Sequence, residues 1–330
     1  MTNKRASVKL DQALIALLSM TEYQPAFPQV KLHRPQTIAG WIDRPRLLEQ
    51  LDQVLQKPVA LIAAPAGFGK TTLLSQWLDR CPLPNAWLQL DENDHEMPAF
   101  LSGVVAALRQ LFPNCLQKTA DLLHAQGPVP LAIWERELIS DLELLEDTPF
   151  ILALDDYHLV GNPTVDLLLA GVLHYESLPL HLIISARRSP SLSFSRLRVQ
   201  GRVVEIPTAD LRFTGAEVTN YFLQTVQVPL SDSSIHQLWV KTEGWAAGLT
   251  LAAISLRKEA QPEALITNLD GSDRQVSDYL LDQVFNNQPE EIQEFLIKAA
   301  SLNPVSYTHL RAHETNCNIS YAVFGVKRGG

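Results

Sequence analysis

Five short apolar runs mark the first part of the chain: residues 58–64, 86–90 (AWLQL), 150–154 (FILAL), 180–186 (LHLIISA) and 203–206. Continuous rather than alternating hydrophobicity at this length predicts strands buried on both faces, as in a parallel sheet. Between the runs the period becomes helical. Leu47, Leu48, Leu51 and Leu55 share one helical face, Leu73, Leu74 and Trp77 another, and helical patterns run over 100–112 and 131–145. Strands alternating with helices over 58–206 specify an α/β fold, with a parallel sheet covered by helices on both faces.

Past Leu211 the strand signal ends. Thr214 and Glu217 form a capping box that opens a helix to Leu223. Ser231 or Ser233 starts a second helix through Val240, and 244–256 (GWAAGLTLAAISL) is an apolar small-residue helix suited to close packing. Two more amphipathic patterns cover 273–301, the second led by Pro289 and carrying Ile292, Phe295, Leu296 and Ala299 on one face. Residues 1–30 form a leader whose first part has weak helical periodicity, compatible with a tail or a short docked helix. The expected organisation is that leader, an α/β domain over 31–212, a helical lid over 213–270, and a further helical segment from 271.

Chemistry enters at the end of the first strand, where the text reads LIAAPAGFGKTTLL. Strand, glycine-bearing turn and helix, with Lys and Thr opening the helix, make a P-loop. Glycines let backbone N–H groups turn inward as an anion-binding nest, and the helix N-terminus adds its dipole toward the same phosphates. The candidate phosphate-binding residues are Ala64, Pro65, Ala66, Gly67, Phe68, Gly69, Lys70, Thr71 and Thr72. Lys70 is placed to reach the terminal phosphates of ATP or ADP, and the Thr71 hydroxyl to ligate Mg²⁺. Ala64 stands where the usual first glycine would be. A methyl group fits there if φ is negative, whereas Gly67 and Gly69 lie where the backbone must approach phosphate.

The run at 150–154 continues into Asp155 and Asp156, the arrangement called Walker B. Asp155 would hold Mg²⁺ and Asp156 would polarise the attacking water, with an Asp rather than the longer Glu predicting slow hydrolysis. Arg187 and Arg188 stand at the end of the fourth run, where a cation can contact the γ-phosphate and report its loss; a pair of surface arginines is the alternative. Arg44 and Arg46, ahead of the first strand, are candidates to fold over the adenine, or else solvated arginines flanking a helix start. Asp91 ends the second run, either facing the ligand or belonging to a cap cluster before the next helix.

Composition narrows the class. The chain is 46% hydrophobic, enough for a sizeable core, and its apolar runs fall well short of the ~20 residues a membrane-spanning helix needs. With no signal-peptide pattern, a cytoplasmic location is expected. Cys81, Cys115 and Cys317 share no ligand or redox spacing. A net charge of -9 argues against a broad nucleic-acid face on the portion present.

In combination, APAGFGKTTL, WLQLDENDHE, LALDDYH, SARRSPSLSFSRLR, ADLRFTGAEV, TEGWAAGLTLAA and VSDYLLDQVF resemble the large ATP-dependent LuxR regulators, which belong to the signal-transduction ATPases called STAND. The resemblance covers about residues 31–304. It implies a P-loop NTPase core with strand order 5-1-4-3-2 and a helical domain. A winged helix would begin at 271–304, followed by inducer-binding repeats and a C-terminal helix-turn-helix for promoter DNA. By motif position Lys70, Thr71, Asp155 and Arg187 carry over as phosphate, Mg²⁺, Mg²⁺ and sensor residues. Ala64 and Gln283, the latter where the family usually has an acid, depart from the pattern. The implied function is an ATP-binding switch in a transcriptional activator, a weak ATPase whose ATP form self-associates. The rival reading is a STAND-type signalling ATPase with a non-DNA output domain. A catalytic or transport ATPase is disfavoured, because no ABC-type signature or second substrate site is visible.

Residues 305–315 (VSYTHLRAHET) have no hydrophobic period. They match the translation of the adapter used in transposase-based sequencing libraries, and 319–324 (ISYAVF) match its next constant part. The expectation is that 305–330 are not native and that the native frame continues past Pro304. Without them the net charge moves from -9 to -11, since they carry three basic residues and one acidic one.

Overall fold

A computed structural model describes residues 27–36, 42–145, 148–190 and 194–257, with single positions 263, 266 and 293. The expectations for 1–26, for the segment from 271 and for 305–330 lie outside the described residues.

All five apolar runs are strands: β1 (Val59–Ala63), β2 (Asn85–Gln89), β3 (Phe150–Asp155), β4 (Leu180–Ala186) and β5 (Val203–Pro207). They pair in parallel in the order β2-β3-β4-β1-β5, which is the expected 5-1-4-3-2 read from the other edge. The pleat sends alternate side chains to opposite faces. Val59, Leu61, Leu88, Leu152, Leu154, Leu182 and Ile184 enter one core cluster. Ala60, Ile62, Trp87, Ile151, Ala153 and Ile183 enter the other.

Helices α1 (Pro45–Asp52) and α2 (Lys70–Arg80) cover the second face. The first face carries α3 (Met97–Arg109), α4 (Gln117–Leu122), α5 (Leu131–Glu143), α6 (Pro163–Val172) and α7 (Ser195–Val199). α1 has Pro45 at its first position, where a missing N–H costs nothing. After Asp52 the chain tightens into a 3₁₀ turn over Gln53–Gln56, so Val54 is fully buried and Leu55 only partly so, a departure from the even helical face. Asn162 caps α6 by accepting from the Thr164 N–H.

The short α8 (Thr208–Leu211) leads into a third cluster built from α9 (Gly215–Asn220), a π-helical turn (Tyr221–Val226), α10 (Asp232–Thr242) and α11 (Ala246–Leu256). Its core is Phe213, Val218, Phe222, Ile235, Leu238, Leu249 and Ala253. The Thr214/Glu217 capping box forms in both directions, and Ser231, rather than Ser233, caps α10. Between α10 and α11, Gly244 sits at φ +69°, and a Cβ there would lie 2.4 Å from the Phe213 carbonyl oxygen. Only glycine allows that approach. Phe213 N–H in turn donates to the Gly244 carbonyl at 2.8 Å.

Candidate functional site

The carboxyl ends of four neighbouring strands meet at one edge. Ala63 of β1 pairs with Ala186 of β4, and Gln89 of β2 with Asp155 of β3. From that edge the loop of residues 64–69 leaves β1 and enters α2. Gly67 and Gly69 have φ of +77° and +78°, while Ala64 is not among the positive-φ residues, which is why a methyl group is tolerated at 64 and not at the glycines. Ala64 is buried, and its N–H donates to the Ala186 carbonyl at 3.2 Å. Gly69 closes the loop in left-handed conformation, and its carbonyl accepts from the Leu73 N–H at 2.9 Å.

Lys70 is buried and its ammonium donates to the Pro65 carbonyl at 3.0 Å. Burial lowers its pKa; Asp156 and Asp155 oppose the shift and Arg187 adds to it. The cation therefore stands poorly solvated at the mouth of a nest of N–H groups, a setting that an anion would improve.

Asp155 closes β3 at 1% exposure. Its Oδ2 accepts from the Thr71 hydroxyl at 2.8 Å, and its Oδ1 is buried with no hydrogen-bond partner. Burial pushes its pKa up; the nearby Ser185 hydroxyl, itself without a partner at hydrogen-bonding distance, and the Thr71 bond resist the shift, and the Asp156 charge adds to it. A carboxylate so placed is costly unless a cation neutralises it. The orphaned oxygen and the adjoining hydroxyl are hard oxygen donors of the kind Mg²⁺ takes, one or two from protein and the rest from water and phosphate. The residues fit that ion. Among the described residues no cluster of three or more His, Cys, Asp or Glu could hold a metal, so any ion here depends on this sparse pair.

Asp156 follows in left-handed conformation, φ +54°, uncommon for a residue with a Cβ but tolerated by Asp. The turn throws its carboxylate away from the buried position of Asp155, and its Oδ2 accepts from Gln89 Nε2 at 2.7 Å. Two residues on, His158 has both ring nitrogens buried without a hydrogen-bond partner. Its Nδ1 is 3.8 Å from Asp156 Oδ1, too long for a hydrogen bond. Burial, joined by the charges of Arg187, Lys70 and Arg188 and opposed by Asp156, lowers its pKa to about 4. The imidazole is therefore neutral near pH 7 and forms no ion pair with Asp156. Arg187 is half-buried and Arg188 exposed. Lys70, Asp155, Asp156 and Arg187 thus gather at one strand edge, and His158 joins them although its sequence position gave no separate signal beyond lying inside LALDDYH.

Arg44 lies elsewhere. Its guanidinium donates to Glu217 Oε2 at 3.2 Å and the Arg212 carbonyl at 2.9 Å, and lies 4.3 Å from the Phe213 ring centroid. Arg46 donates to both Glu217 oxygens and to the Arg212 carbonyl. Burial alone would raise Glu217, but bonds from Arg46 and Arg44 outweigh it and hold the carboxyl below its ordinary range. The arginines ahead of β1 therefore join the α/β core to the third, helical cluster. Asp91 also serves structure: with Asp94 it forms a capping box on the 3₁₀ turn Glu92–Asp94, and both carboxylates pair with Lys31. Helix α3 starts behind Glu96 with no side-chain cap, so the cap cluster belongs to the turn rather than the helix.

The helical cluster reaches the P-loop directly. Trp245 Nε1 donates to the Ala66 carbonyl at 3.2 Å, and the Ala247 N–H to the Gly67 carbonyl at 2.9 Å. These contacts span about half the chain and left no trace in local pattern.

No helix among the described residues is long and apolar enough to cross a membrane, and no protein-family model matches the chain. Over 292 residues it is 32% identical to the HTH-type transcriptional regulator MalT of Cronobacter sakazakii, a match covering 84% of this chain and 31% of that protein. The MalT proteins of Klebsiella pneumoniae strain 342 and Yersinia enterocolitica match at the same identity and coverage. The chain thus spans about a third of the length of the curated relatives it matches. Among solved structures, a Walker-type ATPase of Pyrococcus abyssi shares the fold, with TM-score 0.51 and 17% identity over 88% of this chain and 90% of that one. P-loop geometry at the edge of a 5-1-4-3-2 parallel sheet, together with this similarity, places the chain among the homologues of the MalT-type transcriptional regulators, matched along about a third of their length.

Proposed function

We propose that this chain is the ATP-binding switch module of a LuxR-type transcriptional activator, with residues 31–212 holding the nucleotide and 213–270 acting as its lid. The observation that carries the reading is Asp155: buried, bonded to Thr71, with one oxygen left unsatisfied beside a buried Lys70. That set suits a phosphate chain and its Mg²⁺.

In this reading the N–H groups of the 64–69 loop and α2 bind the phosphates, and Lys70 exchanges its bond to the Pro65 carbonyl for terminal phosphate oxygens. Thr71 and Asp155 would hold Mg²⁺, which when bound shields negative charge on the phosphates. Gln89 fixes the Asp156 carboxylate by its 2.7 Å bond, so that Asp156 can orient and polarise the attacking water. Neutral His158 offers ring nitrogens to that water or to phosphate. Arg187 is the cation that senses the γ-phosphate. Inducer and promoter DNA would act through further domains, and the ATP form would self-associate while ADP favours the monomer. A switch of this kind needs a contact to the γ-phosphate that differs between its two states.

Turnover tests the reading. A switch must outlast its signal, so steady-state hydrolysis by the purified protein without inducer should run well below the ~10 s⁻¹ enzyme median. Turnover of tens per second would point to a motor or transport ATPase instead.

A further inference from the structure

We propose that Trp245 is a positioning residue for the phosphate loop: through it and the first turn of α11, the lid holds the loop in its anion-binding shape. The inference rests on the nucleotide reading above and adds to it a part for the lid in binding the phosphates.

The geometry begins with peptide planarity. In a trans peptide the carbonyl of one residue points opposite to the N–H of the next. Trp245 Nε1 holds the Ala66 carbonyl, and Ala247 N–H holds the Gly67 carbonyl. Two consecutive peptide planes are thereby pinned with their carbonyls toward the lid, which turns the N–H groups of Gly67 and Phe68 to the opposite side. Successive N–H groups facing one way are what make an anion-binding nest. Gly67, at φ +77°, would otherwise rotate at little steric cost.

The text TEGWAAGL is built around this contact. Gly244 makes the left-handed turn that brings the start of α11 against Phe213, with no room there for a Cβ. Ala246 is small where the lid meets the loop: a Cβ built on Gly69 would lie 4.0 Å from its own. Gly248 leaves space for the indole, since a Cβ at 248 would come within 2.9 Å of Trp245 Cε3. Arg44 and Arg46 hold the other end of the lid to the core through Glu217. The lid is thus tied to the core at two separate places, one of them the phosphate loop itself. Linkage then requires the converse: phosphate bound in the loop strengthens lid docking by the factor by which docking strengthens phosphate binding.

The test is to titrate the full chain, Trp245→Phe and Gly248→Ala with ADP and with adenosine, and to record thermal melts of each. Trp245→Phe keeps an aromatic ring of smaller size and removes the N–H. Gly248→Ala leaves Trp245 in the sequence and displaces its ring, while improving helix propensity. Each variant should bind ADP roughly three- to tenfold more weakly, the range of one lost hydrogen bond, with adenosine affinity at the wild-type value and the melting temperature lowered by no more than a few degrees. ADP affinity unchanged in both variants would overturn the inference, as would equal losses for ADP and adenosine, which would place the effect outside the phosphate loop. A wild-type chain that bound no ADP would instead remove the nucleotide reading, and this inference with it.

Discussion

Lys70→Ala should weaken ATP binding about a hundredfold, as read by calorimetry in the presence of Mg²⁺. Lys70 is buried at the mouth of the loop, with the Pro65 carbonyl as its hydrogen-bond acceptor. A charge-assisted bond to phosphate contributes about 1.5 to 3 kcal/mol, and removing the lysine also leaves phosphate charge uncompensated in a partly desolvated loop. Roughly 3 kcal/mol corresponds to the stated loss. The truncation takes away a burial-penalised charge, so the fold itself should not suffer. An affinity within twofold of wild type would remove Lys70 from the site.

Asp156→Asn should lower hydrolysis about a hundredfold while leaving ATP bound, the scale of a lost general base. The substitution is a narrow one. Asn is the residue besides Gly and Asp that best tolerates φ +54°, and its amide oxygen can still accept from Gln89 Nε2. What disappears is the negative charge facing the water. Single-turnover hydrolysis beside equilibrium ATP binding separates the two effects. Equal hydrolysis in variant and wild type would take Asp156 out of the chemistry, and lost binding would assign it to the ligand site instead.

The sheet was legible because buried parallel strands are written as continuous apolar runs, and each of the five was located to within about a residue or two. The order of those strands came from family resemblance; local pattern cannot supply it. Helix α6 was not assigned although Asn162 and Pro163 announce its start, and α4 is only six residues long. In both, burial against neighbours rather than amphipathic period decides the structure. At the site, Lys70, Thr71, Asp155 and Asp156 were legible because motif spacing encodes them. His158 was not, because its significance is an environment: two unpartnered nitrogens among three cations. Arg44 was a candidate for the adenine or else a solvated arginine; it is buried, and its partners Glu217 and Phe213 lie about 170 residues away in the chain. The Trp245 contact with Ala66 is longer still in sequence. Long-range pairing of this kind is set by how the helical cluster packs on the sheet domain, and no local window contains it.

The central claim is that the loop at the end of β1 binds a nucleotide by its phosphates. Titrating the chain with ADP, with and without Mg²⁺, tests it most directly. The predicted result is one saturable site per chain, tightened by Mg²⁺ and strongly weakened in Lys70→Ala; absence of saturable binding, or binding indifferent to Lys70, would contradict it.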